Sequence, residues 1–252
     1  MWFDQVISLI NKVEGNISFV VKNLKTNELY SHNLNTIFPS ASIIKVPILL
    51  ALFKSVHEKK INLNKRIHIS PDNIVLGDGI IKHLAPNLEL TLLDLAKLMI
   101  IVSDNTASNI IIETLGKDYI NEKFYDFDLI HTILARNFMD FSQIQKGKDN
   151  FTSCNDMLKV FEHMYHNKDT YFSILDILSK QMLNDYISLN IQKKFRFEHK
   201  TGSLKGIIHD VGILYLPTPI FIGFFSSQLS NELDGKILVN KLGHLVYQTF
   251  LD

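Results

Sequence analysis

The sequence predicts an α+β fold. An antiparallel sheet flanked by helices is drawn from residues 1–50 and 191–252, an all-helical lobe from residues 51–190, and a cleft lies between them. Three observations carry this reading. Strand-like patterns sit towards the two ends of the chain, and the middle repeats its apolar residues at helical spacing. No internal repeat, low-complexity tract or Pro/Gly-rich linker divides the 252 residues.

Phe3, Val6, Ile7, Ile10 and Val13 recur at helical spacing, so an amphipathic helix opens the chain over residues 2–13. Ile17, Phe19 and Val21 alternate with Ser18, Val20 and Lys22 as in a strand, and the turn signal Lys25-Thr26-Asn27 returns residues 28–32 as its hairpin partner. From Ser42 to about Val56 the chain is apolar almost all round, which places a helix at the centre of the fold. Pro47 falls near the first turns of that helix, where a missing N–H costs least. Thr91 and Asp94 form a capping-box pattern ahead of Leu92, Leu95, Leu98, Met99 and Val102. A second helical run from about Ala107 to Leu115 stops at Gly116. Residues 120–190 stay mostly helical, apart from an irregular stretch at 136–152. Residues 195–201, 207–216 and 219–226 read as three strands, the last two joined through Pro217-Thr218-Pro219. Leu233, Ile237, Leu238, Leu242, Leu245 and Val246 predict a closing helix.

The composition narrows the function classes. Lysine plus arginine equals aspartate plus glutamate, 26 each, so the basic excess of a nucleic-acid binder is missing. Pairs such as Lys59-Lys60 and Lys193-Lys194 read as solvated surface. A single cysteine, Cys154, excludes an internal disulfide and gives no metal-ligand spacing. His163 and His166 share a helical face without a third ligand nearby, so a surface pair is favoured over zinc. No stretch approaches the roughly 18 uncharged apolar residues of a membrane span. The opening residues lack the basic start and long apolar core of a secretion signal, so the protein is expected to be cytosolic or to have its export signal outside this sequence. A monomer is expected.

Three short motifs carry the chemistry. Ser42-Ile43-Ile44-Lys45 lies at the entry to the apolar helix, where Lys45 is expected to reach the Ser42 hydroxyl one turn away. A lysine acts as a base only when burial or nearby positive charge lowers its pKa, and Ile43, Ile44, Val46 and Ile48 favour that shift. Alone, Ser-x-x-Lys also fits a capping serine followed by a surface lysine. Ser103-Asp104-Asn105 interrupts two helical runs and either caps the second or supplies a proton relay (Ser103) and a carboxamide that holds Lys45 and substrate (Asn105). Lys200-Thr201-Gly202-Ser203 lies on a predicted strand. It is either a strand end with a glycine bulge or a site in which Lys200 adds charge, Thr201 binds a carboxylate and Gly202 lets substrate backbone approach.

In this order the motifs resemble those of class A β-lactamases and related penicillin-recognising serine hydrolases. The resemblance rests on Phe38-Pro39-Ser40-Ala41-Ser42-Ile43-Ile44-Lys45-Val46-Pro47, on Met99 to Asn109, and on His199-Lys200-Thr201-Gly202-Ser203. It implies a β-lactamase/D,D-peptidase-like fold in which Ser42 is acylated by a β-lactam or a D-alanyl peptide. Ser42, Lys45, Ser103 and Lys200 would be catalytic, and Asn105, Thr201, Gly202 and Ser203 would bind substrate. The backbone N–H groups of Ser42 and Ser203 would form the oxyanion hole. No cofactor, metal or nucleic-acid partner is implied.

The sequence departs from the family in the stretch after Arg136. The family carries a glutamate two residues after this arginine and an asparagine four beyond, which together hold the hydrolytic water; here those places hold Phe138 and Ser142. A phenyl ring neither accepts a proton nor orients water. Asp140 is the nearest carboxylate that would substitute, although a solvated loop acid is an equal reading. The loop's closing acid is replaced by Asn150, with Asp149 adjacent, which puts the usual Arg–Asp clamp in doubt. No arginine follows the third motif. The expectation is a β-lactamase-like hydrolase that acylates readily and releases slowly. A D,D-peptidase and a covalent β-lactam binder without turnover are the alternatives.

Overall fold

The computed structural model describes residues 2–251. Its centre is a five-stranded antiparallel sheet in the order β2-β1-β9-β8-β7. These strands are β1 (Asn16–Asn23), β2 (Leu29–His32), β7 (Phe197–Leu204), β8 (Ile207–Tyr215) and β9 (Pro219–Ser227). The hairpin of β1 and β2 pairs Phe19 with His32 and Lys22 with Leu29. β1 then runs antiparallel to β9 from Asn16↔Ser227 to Asn23↔Ile220, which joins the two ends of the chain.

The alternation along β1 separates two buried faces rather than core from solvent. Ile17, Phe19 and Val21 join Val6 and Ile10 of α1 (Trp2–Ile10) and Leu238, Leu242 and Val246 of α9 (Glu232–Thr249) in one apolar layer. Val20 faces the other way, with Val211, Ile213, Phe221 and Phe225, into a larger core shared with the helices of the middle segment. Ser18 is fully buried on β1 for the same reason.

At the heart of that larger core lies α2 (Lys45–His57), whose residues from Lys45 to Phe53 are all buried. Residue 50 falls inside this helix, so the expected boundary between lobes cuts a single buried element. Around it stand α3 (Leu92–Ile101), α4 (Asn105–Leu115), α5 (Lys117–Asp126), α7 (Cys154–His166) and α8 (Lys168–Leu178). A short α6 (Phe141–Gln145) sits in the stretch expected to be irregular.

Two small ladders outside the main sheet escape the sequence pattern. β3 (Ile37–Pro39) pairs with β6 (Phe151–Ser153), and β4 (Arg66–Ile69) pairs with β5 (Leu88–Thr91). Strands of three or four residues are too short to show a period of two, and their partners are distant in sequence. The histidine pair also differs from expectation. His163 is half-buried, packed between Phe127 and Tyr171, with a ring nitrogen 3.0 Å from the Tyr171 hydroxyl.

The capping box at 91–94 is formed as expected. The Thr91 hydroxyl accepts from Asp94 N–H at 3.1 Å, and the Asp94 carboxylate accepts from Thr91 N–H at 3.2 Å. This cap starts the helix that delivers Ser103. Thr91→Ala is expected to lower unfolding stability by about 1 kcal/mol, measured by urea denaturation. An unchanged midpoint would show that tertiary packing alone holds α3 in place.

Candidate active site

The chain reaches Ser42 through a strained turn. Ser40 N–H donates to Asn150 O at 2.8 Å as β3 ends, and Ala41 then takes a left-handed conformation with φ 44°. That turn throws residues Ala41–Ile44 into a 3-10 segment continuous with α2. Ser42 is therefore in a 3-10 turn, not in the α-helix itself. The turn is also tied to the sheet: His209 Nε2 donates to Pro39 O at 2.9 Å, while its Nδ1 accepts from Ser226 N–H at 3.2 Å. With both nitrogens so used His209 is neutral, and its burial pushes the imidazole pKa down to about 4.

Lys45 is fully buried. Its Nζ lies 2.7 Å from Ser103 O, 2.8 Å from Asn105 Oδ1 and 3.1 Å from Ser103 Oγ. None of these partners is Ser42, so the expected direct Lys45–Ser42 hydrogen bond is replaced by one to Ser103. Three acceptors saturate an ammonium. For a neutral amine, the two carbonyl oxygens take the two N–H groups and the Ser103 hydroxyl can donate to the lone pair. The same cage therefore serves both protonation states. Burial, followed by the charge of Lys200, holds the Lys45 ammonium well below the usual lysine range.

Ser103-Asp104-Asn105 both caps a helix and builds the site. Ser103 has φ 57°, and this kink between α3 and α4 points its carbonyl and hydroxyl at Lys45. Asp104 caps α4 by accepting from Ala107 N–H at 3.0 Å, and its other oxygen accepts from Ile80 and Ile81 N–H at 2.8 and 2.9 Å. Four residues after Asn105, Asn109 holds the backbone of Phe138: it accepts from Phe138 N–H at 2.8 Å and donates to Phe138 O at 3.1 Å. The spacing of Asn105 and Asn109 on one helical face was the available signal for this role.

The third motif lies wholly within β7, which runs three residues past the expected strand end. Its pairing with β8 is unbroken through Gly202↔His209, so there is no bulge. A Cβ on Gly202 would lie 2.9 Å from Ser42 N and 3.1 Å from Ile43 N. The missing side chain therefore lets the strand lie close against the Ser42–Ile43 backbone. Lys200 is buried, donates to Thr201 O at 2.8 Å, and has its pKa lowered to about 7 by burial. Thr201 is buried beside it, while Ser203 is exposed and lines the cavity. Burial raises the phenol pKa of neighbouring Tyr186, opposed by its hydrogen bond with Ser203.

The loop after Arg136 keeps its clamp, with a substitute acid. Arg136 Nε lies 2.8 Å from Asp149 Oδ1. Asn150 instead bonds the loop backbone, accepting from Ala135 and Arg136 N–H at 2.8 and 3.0 Å and donating to Arg136 O at 3.1 Å. Phe138 is buried, with its ring centroid 4.5 Å from Lys45 Nζ. Asp140 precedes α6, accepts from Ser142 Oγ at 2.7 Å, and is not among the residues lining the cavity. That cavity, of about 210 Å³, is walled by Ser42, Asn105, Ser203, Phe138, Met139 and Asp78 among others. Among the described residues no group of three or more His, Cys, Asp or Glu could hold a metal ion, and no helix is long and apolar enough to cross a membrane.

A family model described as the beta-lactamase enzyme family matches residues 3–250. The chain belongs to the beta-lactamase enzyme family. Relatives include the beta-lactamase VEB-1 of Pseudomonas aeruginosa, 24% identical over 93% of this chain and 85% of that protein. Another is the beta-lactamase BRO-1 of Moraxella catarrhalis, 25% identical over 84% and 69% of the two chains. Among solved structures, PBP-A superposes with a TM-score of 0.90 at 27% identity, covering 99% of this chain and 95% of the other. A beta-lactamase from Sphaerobacter thermophilus shares the fold, with a TM-score of 0.90 at 24% identity over 99% and 96%.

Within this family frame the two buried lysines give the site a pH signature. Lys200 loses its proton near pH 7 in the folded protein but near 10.5 when unfolded, so between these values the unfolded chain binds more protons. Stability contributed by this group therefore rises with pH across that window. Lys200→Met is expected to flatten the rise in melting temperature between pH 7.5 and 9.5. Identical slopes for the two proteins would place the lysine in a hydrated environment instead.

Proposed function

We propose that this β-lactamase-family serine hydrolase forms an acyl-enzyme through Ser42 and releases it slowly. Ser42 Oγ attacks the β-lactam carbonyl carbon, and its proton passes to the neutral Lys45 amine. The developing oxyanion is held by the backbone N–H groups of Ser42 and Ser203. Ser42 sits in the first turn of its 3-10 segment, where an N–H has no intrahelical acceptor. The C–N bond then breaks as the ring nitrogen takes the Ser103 hydroxyl proton, which Lys45 replaces through its 3.1 Å contact. The product is an ester on Ser42. Lys200 and Thr201 attract the substrate carboxylate, and Asn105 holds both Lys45 and the substrate amide.

Release requires a water activated by a base. The Phe138 ring over Lys45 is the observation that carries the slow step, because it puts an apolar face where the family carries a glutamate. Asp140 bonds Ser142 away from the cavity and is a poor substitute. The same feature favours a second reading, a D,D-peptidase, whose acyl-enzyme forms on a peptide with the same groups. The likeness to PBP-A supports this reading: a variant of that protein has been captured as an acyl-enzyme complex with penicillin G.

Intact-protein mass spectrometry with benzylpenicillin tests the proposal. A persistent adduct is expected on the native protein and none on Ser42→Ala. Phe138→Glu is expected to shorten the adduct's life by about 10²-fold, the lower end of what a general base contributes. An adduct on the native protein that clears as fast as it forms would refute slow release, and no adduct at all would refute acylation.

A further inference from the structure

The lining of the cavity carries one carboxylate that the acylation chemistry does not use. Asp78 lines the same cavity as Ser42, is exposed to it, and forms no hydrogen bond or ion pair through its carboxylate among the described residues. The other charged groups near the site are engaged. Lys45 is held by Ser103 and Asn105, Lys200 by Thr201, and Arg136 by Asp149.

The backbone that presents Asp78 is over-determined. Gly77 and Gly79 flank it with φ 88° and 115°, conformations that favour glycine. A Cβ on Gly77 would lie 2.6 Å from Asn105 Nδ2, and one on Gly79 would lie 2.3 Å from the Asp104 carboxyl carbon. Asp78 O accepts from Asn105 N–H at 3.1 Å, and the Asp104 carboxylate accepts from Ile80 and Ile81 N–H at 2.8 and 2.9 Å. Lys82 donates to Gly77 O. The loop is pinned to the second motif on both sides, and the polar group it leaves free is the Asp78 carboxylate.

The same cavity has apolar lining close to this loop, since a Cβ on Gly77 would lie 2.8 Å from Met139 Sδ. Phe138 and Met139 line it, and Phe141 is 50% exposed at its edge. A carboxylate beside aromatic and thioether surface suits an apolar body carrying a primary ammonium. Its field already favours the charged forms of Lys45 and Lys200, so its reach extends over the reacting atoms.

We propose that Asp78 is a specificity residue that selects acyl donors carrying a primary ammonium close to the amide that Ser42 attacks. This rests on the acylation reading above, and it names the substrate class for that site. The ammonium pairs with Asp78 while the apolar part of the acyl group lies on Met139 and Phe141.

The test compares acylation of the full chain by ampicillin and benzylpenicillin, which differ by one amine, below neutral pH where that amine is charged. Asp78→Asn also alters the lysines, but that change acts on both substrates, so the ratio of the two acylation rates isolates the ammonium. The native protein is expected to favour ampicillin, and D78N to lower that preference about fivefold, the effect of a solvent-accessible ion pair. High salt should lower the native preference and leave that of the variant unchanged. An Nα-acetyl-lysyl-D-alanyl-D-alanine peptide against its Nα,Nε-diacetylated form repeats the comparison for a peptide source of the ammonium. Loss of preference in either pair supports the proposal and tells which source the site prefers. A ratio unchanged by D78N in both pairs overturns the role of Asp78 while leaving acylation standing. No adduct from either penicillin and no peptide cleavage overturns the acylation reading together with it.

Discussion

Burial of the Lys45 amine is the constraint on which the site depends. Removing an ammonium from water is costly unless its donors are satisfied, and a lysine in such a place either loses its proton or is caged by oxygens. Here the cage consists of one backbone carbonyl, one carboxamide oxygen and one hydroxyl, all from residues 103–105. Because neutral oxygens rather than a carboxylate surround Nζ, the pKa is free to fall. Replacing one of those oxygens by a carboxylate would stabilise the ammonium and remove the base. The Phe138 ring completes the enclosure, favouring the cation by its π face without contributing a proton acceptor.

The cage in turn depends on backbone held in uncommon conformations. Ala41 and Ser103 both have positive φ; Ala41 directly precedes Ser42, and Ser103 itself bonds Lys45. Such positions cost about 1–3 kcal/mol each and persist only where the surroundings determine them. For Ala41 the surroundings are the β3–β6 ladder and the neutral imidazole of His209. For Ser103 they are the Asp104 carboxylate, which caps α4 and holds the 80–81 backbone together. The strain sits at the seam between sheet and helices because that is where chain segments must be aimed rather than merely packed.

What was legible in the sequence follows the range of the interactions involved. The capping box at Thr91 and Asp94, the stop at Gly116 and the three late strands are set by neighbours within a few residues, and each formed near its expected place. The β3–β6 and β4–β5 ladders were not legible, since strands so short leave no periodic trace. The Arg–Asp clamp is the clearest case in the site. Position 150 lacks the family's acid, yet the adjacent Asp149 reaches Arg136, while Asn150 satisfies backbone groups in its place. Gly202 is the reverse case. Its place in a motif was visible, but the close approach of its strand to the Ser42–Ile43 backbone was not.

By itself the sequence determined the class of protein and the order of its three motifs, because each is written in three or four consecutive residues whose chemistry is local. It also determined that residue 138 has no proton to exchange, which is a property of a phenyl ring wherever it lies. Only the tertiary structure decided that Lys45 bonds Ser103 instead of Ser42, that Asp140 stands apart from the cavity, and that Asp78 faces it without a partner. Those outcomes depend on ångström distances between segments dozens of residues apart, set by how the core packs around α2.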